Sequence, residues 1–174
     1  MPLAVTHVLL TIILVDLYRD YLSKSKEYFT LHTVFIAGVF GLLPDIDVVF
    51  VSLSNILNFS LPSLMQHGGF THTPLFGLIF LIPGLILWKM DKKKIGCYFF
   101  VAAFGILFHV FLDYLFGGGA YEGIMLLFPL STEVWKIHLL NYFSFVNIPK
   151  SLDAIILLLW LWHEEMKHKI SDFI

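Results

Sequence analysis

Apolar residues run in long blocks along this chain, and short polar or basic stretches cut the blocks apart. Residues 3 to 18 are apolar except for Thr6, His7, Thr11 and Asp16, and a basic stretch with Arg19, Lys24 and Lys26 follows. Residues 31 to 53 form a second block, long enough to cross a bilayer. Pro44 lies within it and is expected to kink or end the helix, because proline has no backbone donor. Ser54 to Gln66, with Asn55, Asn58, Ser60 and Pro62 among leucines, reads as an interfacial connector. A third span runs from Pro74 to Trp88 and stops at Lys89, Asp91, Lys92, Lys93 and Lys94. Ile95 to Phe116 is the fourth, broken afterwards by Gly117, Gly118 and Gly119. From Glu133 to Phe145 the apolar positions recur at helical spacing beside Lys136, His138 and Asn141, which predicts an interfacial helix. Leu152 to Trp162 is a last, short apolar helix. The pattern predicts an all-α, polytopic membrane protein of about five membrane helices plus the interfacial one. No repeat or linker divides the chain, so residues 1–174 read as a single domain.

Composition supports that reading. The 174 residues are 58% hydrophobic and 14% charged, with a mean hydropathy of +0.83, whereas about a quarter of a soluble domain is charged. A soluble helical protein of this length would need more polar surface. The net charge of -2 gives no reason to expect nucleic-acid binding, which calls for a basic face. The single cysteine, Cys97, lies in an apolar run and rules out an internal disulfide. The first apolar block has no basic region before it and no small-residue cleavage motif after it, so it reads as a retained segment.

Lysines and arginines collect on the cytoplasmic side of short loops. An outside N-terminus places Arg19, Lys24, Lys26, Lys89, Lys92, Lys93, Lys94, Lys167 and Lys169 inside and leaves only Lys136 and Lys150 outside. Depth can then be compared at about 1.5 Å per residue from each basic boundary: His7 lies about 18 Å up, Asp45 about 21 Å, His109 about 22 Å and His72 about 25 Å. The four sit in one layer, in the outer part of the bilayer.

That agreement gives meaning to polar residues that are costly in an apolar setting unless paired or bound to metal. His109 and Asp113 are four apart and share a helix face. Asp45 and Asp47 follow Pro44; if the chain there is extended both point the same way, and if it is helical only one faces the site. Either could bind metal while the other orients a histidine or takes a proton from water. His67 and His72 flank a loop in which Gly68 and Gly69 permit close backbone approach, and Thr71 or Thr73 could cap the third span. With His7 the layer holds four histidines and three aspartates, enough for one or two divalent ions. The nitrogen and carboxylate mixture suits Zn best, with Mn or Fe next and Ca or Mg less suited. Glu122, in the outer glycine-rich loop, is a candidate proton-transfer group. His32, Asp16 and Asp20 fall on the inner side, His163 and His168 stand beside the C-terminal basic residues, and His138 lies in the interfacial helix; none joins the site.

The motif order Thr6-His7, Leu43-Pro44-Asp45-Ile46-Asp47, His67-Gly68-Gly69-Phe70-Thr71-His72-Thr73 and His109-Val110-Phe111-Leu112-Asp113, then Gly123 and Phe128-Pro129, resembles the YdjM-like family of prokaryotic inner-membrane proteins, predicted metal-dependent hydrolases. The resemblance runs from residue 6 to about 131. It implies a helical membrane protein of the prokaryotic inner membrane with His7, Asp45, Asp47, His67, His72, His109 and Asp113 as metal ligands. Relatives usually carry an arginine where this chain has Gly68 and a serine where it has Thr73, and a Trp-Gly element near the triple glycine. The missing arginine removes a phosphate clamp. A looser likeness to helical zinc-dependent phospholipase C enzymes, which also use a His-x-x-x-Asp helix, makes a phospholipid or lipid-linked phosphoester the favoured substrate.

Three readings follow. The first is a membrane-embedded metal hydrolase acting on a lipid phosphoester at the outer interface with metal-activated water, Asp47 and Glu122 serving catalysis. The second is a metal-ion or proton transporter, which needs polar steps through the full thickness; here the strong ligands share one level. The third is a structural membrane protein whose metal ties short helices together.

Overall fold

The apolar blocks fold as helices that pack side by side in an order unlike their order in the chain. The computed structural model describes residues 4–23, 27–116, 123–137, 139 and 152–168. Helix α1 (Ala4–Leu17) widens into one π turn at Tyr18–Leu22. Helix α2 (Leu31–Leu42) passes through a 3-10 turn, Leu43–Asp45, into α3 (Ile46–Leu57). Helix α4 (Pro74–Lys89) and α5 (Lys93–Phe116) form a hairpin, and α6 spans Leu152–His168. Among the described residues the helices are joined by turns and one isolated bridge, Ile124 with Trp135, and there is no strand.

Two stretches are long and apolar enough to cross a membrane, Leu31–Leu57 with 27 residues and Lys93–Phe116 with 24. Helices α1, α4 and α6, with 14, 16 and 17 residues, are shorter than that. Pro44 does not end the second block: it sits at the start of the 3-10 turn, where its missing donor costs little, and the helix resumes to Leu57. The expected connector therefore begins later, after Asn58, which closes α3 in the left-handed conformation at φ 54°. The expected interfacial helix does not begin at Glu133. Residues 133–137 are not helical, and Trp135 is tied to Ile124 by two backbone hydrogen bonds of 2.8 and 3.0 Å; most of the remainder of that helix lies outside the described residues.

Small residues let the helices approach. Helix α2 packs between α1 and α5, and α4 lies on the other side of α5. A Cβ on Gly105 of α5 would come within 2.6 Å of the Ala37 carbonyl oxygen and 2.8 Å of the Gly41 nitrogen, so α2 and α5 touch backbone to backbone, the mode of contact small residues permit between membrane helices. The core there is Val15, Val34, Ala37, Cys97 and Val101. Helix α3, in contrast, buries only Asp47 and Ser54 and leaves Val49, Phe50, Ile56 and Leu57 exposed.

Helix α6 runs parallel to α1. The Thr6 hydroxyl donates to Asp153 at one end, and at the other Lys167 and His168 meet Asp20 at 2.9 and 2.8 Å. Between them Trp160 Nε1 donates to Asp16 at 3.4 Å, while Arg19 pairs with Asp16 at 2.8 Å. Burial alone would raise the Asp20 carboxyl, but the hydrogen bonds from Lys167, His168 and Arg19 outweigh it and hold the group well below the usual carboxylate range. The sequence pattern put Asp16 and Asp20 on the inner side and His163 and His168 beside the C-terminal basic residues without connecting the two sets; the structure brings them together, His168 against Asp20 and His163 against Tyr21, in the lock between α1 and α6.

Candidate metal centre

Four segments meet at the end of the bundle opposite Arg19, Lys89 and Lys93. His7 comes from the start of α1, Asp45 and Asp47 from the turn between α2 and α3, His67 to His72 from the loop before α4, and His109 with Asp113 from the last turns of α5. Local chemistry sets each. The 3-10 turn begun by Pro44 exposes Asp45 on one side and starts α3 with Asp47 on the other. Thr73 caps α4, its hydroxyl accepting from the Phe76 N–H at 3.3 Å, and so ends the loop one residue beyond His72. Gly68 takes a left-handed φ of 84°, which lets its N–H reach Asp47 at 3.2 Å.

At the middle, the Nε2 atoms of His72 and His109 face one oxygen each of Asp45 and Asp113. The four separations are 3.5 Å for His72 to Asp45, 3.4 Å for His72 to Asp113, 3.5 Å for His109 to Asp45 and 3.3 Å for His109 to Asp113. His7 adds its own Nε2 at 3.5 Å from the second Asp113 oxygen, with its ring centroid 4.1 Å from that of His109. His7, His72 and His109 are each no more than 2% exposed, and none of their Nε2 atoms has a hydrogen-bond partner among the described residues. Buried polar atoms are normally satisfied, and leaving them bare is costly.

The outer nitrogens of two rings are fixed. His109 Nδ1 lies 2.7 Å from the Gly41 carbonyl oxygen, which can only accept, so Nδ1 carries a proton and Nε2 is left to face the centre. His72 Nδ1 lies 3.1 Å from both Asp47 Oδ2 and the Thr71 hydroxyl. Since Thr71 donates to that same carboxylate at 2.9 Å, His72 Nδ1 donates outward and leaves Nε2 to face the centre. Asp47 further accepts from His67 Nδ1 at 2.8 Å and is 1% exposed. Its two oxygens are thus taken up by protein donors, the arrangement of a group that orients ligands from behind.

These residues fit a divalent cation. Four donors held about 2.0–2.1 Å from a common centre in a tetrahedron stand about 3.3–3.4 Å apart, close to the separations found here. Asp45, Asp47 and Asp113 bring negative charge into an apolar bundle, and among the described residues their partners are imidazoles, a hydroxyl and a backbone N–H, with no lysine or arginine. A buried charge set of this kind calls for a counter-cation. Two triads, His7 with His109 and Asp113, and Asp45 with His67 and His72, each bring three ligand atoms within 4.8 Å of one another, so one ion or two adjacent ions could be held.

The seven residues singled out in the sequence all stand in this region: His7, Asp45, His72, His109 and Asp113 inside, Asp47 behind them, and His67, bonded to Asp47 and partly exposed, at the edge. Of the alternatives for the Asp45–Asp47 pair, the helical one holds, and only Asp45 points at the centre. Glu122 lies outside the described residues, as do Gly117 to Gly119 and His138. Gly123 and Phe128 do belong to the surroundings: the Phe128 ring lies 6.0 Å from Phe70 in the histidine loop, and a Cβ on Gly123 would meet the Trp135 carbonyl at 2.6 Å. The Gly41 carbonyl escaped the sequence reading because every residue carries one. Of the two capping candidates, Thr73 is the cap, while Thr71 turns its hydroxyl to Asp47.

Fold and site together define an all-helical membrane protein with a buried histidine and aspartate centre able to hold a metal ion. The chain belongs to the YdjM inner membrane protein family, whose model matches residues 1–170. No curated protein and no solved structure matches it.

Proposed function

We propose that this chain is a metal-dependent hydrolase embedded in the prokaryotic inner membrane, cleaving a phosphoester of a phospholipid or lipid-linked substrate at the extracytoplasmic interface. The observation that carries the reading is the convergence of three unpartnered Nε2 atoms and two carboxylates, drawn from four distant segments, on one buried point. Five membrane helices with the N-terminus outside put the basic ends of α1, α4 and α5 in the cytoplasm and the centre near the outer interface. Head groups lie at that level.

His7, Asp45, His72, His109 and Asp113 would hold the ion, with zinc favoured by three imidazoles and two carboxylates and manganese or iron next. Bound there, it supplies Lewis acidity, which polarises a phosphoryl oxygen and makes water acidic enough to be a nucleophile near neutral pH. Asp47 keeps His72 in its ligating tautomer and holds His67 by Nδ1. His67, with a side chain 27% exposed and a ring 4.9 Å from that of His72, is then placed at the mouth to take a proton from water at Nε2 and return it to the leaving oxygen. The α3 face and the apolar sides of α4 surround the substrate with hydrocarbon and restrict bulk water.

A second reading has one observation in its favour. Five inward donors are enough to fill all four positions of a single zinc, as in structural sites, and they tie α1, the α2–α3 turn, the loop before α4 and α5 together. Elemental mass spectrometry of detergent-purified protein, followed by hydrolysis assays on phospholipid and lipid-phosphate vesicles, separates the two. Hydrolase function requires one or two equivalents of metal, lost in His109→Ala and Asp113→Asn, together with release of a water-soluble head group or inorganic phosphate. Metal without hydrolysis leaves the structural role, and no metal even after resupply removes both.

A further inference from the structure

At the end of the bundle away from the metal centre, α1 and α6 meet through more carboxyls than cations. Asp16 and Asp20 come from α1 and the π turn after it, Glu164 comes from α6, and the permanent charges set against them are Arg19 and Lys167. Both cations are committed. Arg19 pairs with Asp16 at 2.8 Å and with Asp20 at 3.0 Å, and Lys167 pairs with Asp20 at 2.9 Å while standing 3.5 Å over the Tyr21 ring. Glu164 is only 8% exposed and Asp16 1%, and their two carboxyls hydrogen-bond each other across the helix interface. Ionised carboxylates have no hydrogen to donate, so this bond needs a proton. Its place follows from the neighbours. Asp16 carries the guanidinium at 2.8 Å and the Trp160 indole N–H at 3.4 Å, partners that favour the anion, which leaves Glu164 as the acid.

The contacts of His163 agree with that assignment. Its Nδ1 lies 3.2 Å from Glu164 Oε1 and its Nε2 lies 2.9 Å from the Tyr21 hydroxyl. With the proton on Glu164, a neutral imidazole satisfies both contacts, Nδ1 donating to Oε1 and Nε2 accepting from Tyr21. One run of hydrogen bonds then leads from the exposed Tyr21 through His163 and Glu164 to the buried Asp16.

We propose that Glu164 holds a proton against Asp16 when α6 is docked on α1, and that this proton makes the docking of α6 a pH-sensitive switch that loosens as pH rises. The switch does not depend on the hydrolase reading. Its sign follows from what each state binds. Undocked, Glu164 is an ordinary exposed glutamate and gives up its proton near about pH 4; docked, it keeps one. From there upward the docking equilibrium weakens by about tenfold per pH unit, levelling off only when the docked pair releases its proton and two carboxylates are left face to face. The other titratable or charged groups at this interface are Arg19, Asp20 and Tyr21 on the α1 side and His163, Lys167 and His168 on α6. The loosening reaches beyond the lock, because α6 braces the helix that carries His7 from the Thr6 bond to Asp153 down to the Lys167 pair with Asp20.

The test uses full-length protein in lipid nanodiscs and two readouts. Infrared spectra locate the proton, and amide hydrogen exchange of residues 152–168, corrected for the chemical rate at each pH, reads the docking. At neutral pH the carbonyl stretch of a protonated carboxyl should be present, shift in deuterium oxide and disappear on alkalinisation. It should be absent from Glu164→Gln and kept in Asp113→Asn, which separates it from the carboxyls of the metal centre. The carboxamide of Glu164→Gln donates to Asp16 and accepts from His163, so α6 stays docked without a titrating proton. Protection of α6 in the wild type should therefore fall with rising pH more steeply than in Glu164→Gln, by about tenfold per pH unit. No such band at neutral pH, a band that survives Glu164→Gln, or equal pH slopes in the two proteins overturns the proposal. Should Glu164→Gln fail to fold, wild-type protein carrying isotopically labelled glutamate takes its place: the band must shift with the label, and an unshifted band overturns the assignment to Glu164.

Discussion

Asp47 touches more of the centre's supporting atoms than any ligand does, holding His67, His72, Thr71 and the Gly68 N–H at once. Asp47→Ala should lower zinc affinity about 10–100-fold, the usual cost of losing a group that orients a ligand, as read by competition with a chromogenic chelator. Asp113→Asn replaces an inward oxygen and should cost more than that in the same titration. At this scale the sequence was informative wherever spacing implied a shared face: His109 and Asp113 at four residues did so, and the two-residue step from Asp45 to Asp47 left the choice to local backbone. The 3-10 turn made that choice by rotating Asp47 away from Asp45. What spacing could not reveal was the Gly41 carbonyl, since a backbone acceptor becomes visible only when a second helix brings a donor to it.

Helix contacts follow the same logic on a larger scale. Gly105→Ala forces a Cβ against the Ala37 carbonyl and the Gly41 nitrogen, both backbone, so α2 and α5 must separate. The cost should be about 3 kcal/mol, seen as a lower unfolding temperature in detergent, and metal binding should weaken with it because Gly41 holds His109. Thr73→Ala removes the α4 cap and should cost about 1 kcal/mol, with faster amide exchange confined to the first turn of α4. The lock between α1 and α6 depends on pH through Asp20. Its folded carboxyl lies below the unfolded value of 3.8, so its contribution is complete above that value and fades as pH falls from there toward the folded one. Exchange in α6 should therefore rise on acidification below about pH 4, and Asp20→Asn should raise it already at neutral pH. The apolar blocks were legible as helices because their length and purity left few alternatives; the connection through Pro44 and the bridge of Ile124 to Trp135 were not, since both depend on what packs against them.

For the whole molecule, Arg19, Lys89 and Lys93 lie at the helix ends away from the centre, so the charge asymmetry read along the chain reappears in the folded bundle. Maleimide labelling tests the orientation: with the buried Cys97 silent, Lys93→Cys and Leu130→Cys in intact cells should react from opposite sides, and labelling from the same side would overturn the proposed topology. The order of the chain also sets an order of events. The donors of the centre are spread from His7 to Asp113, and α1 must wait beside α2 until α5 supplies His109 and Asp113. During synthesis the first histidine enters the membrane long before its partners exist, so the ring of donors closes only once the fifth helix has been delivered. Capture of an ion would then report that α5 has joined the bundle, and a chain stalled before α5 would hold His7, Asp45, Asp47, His67 and His72 without the His109 and Asp113 that complete the set.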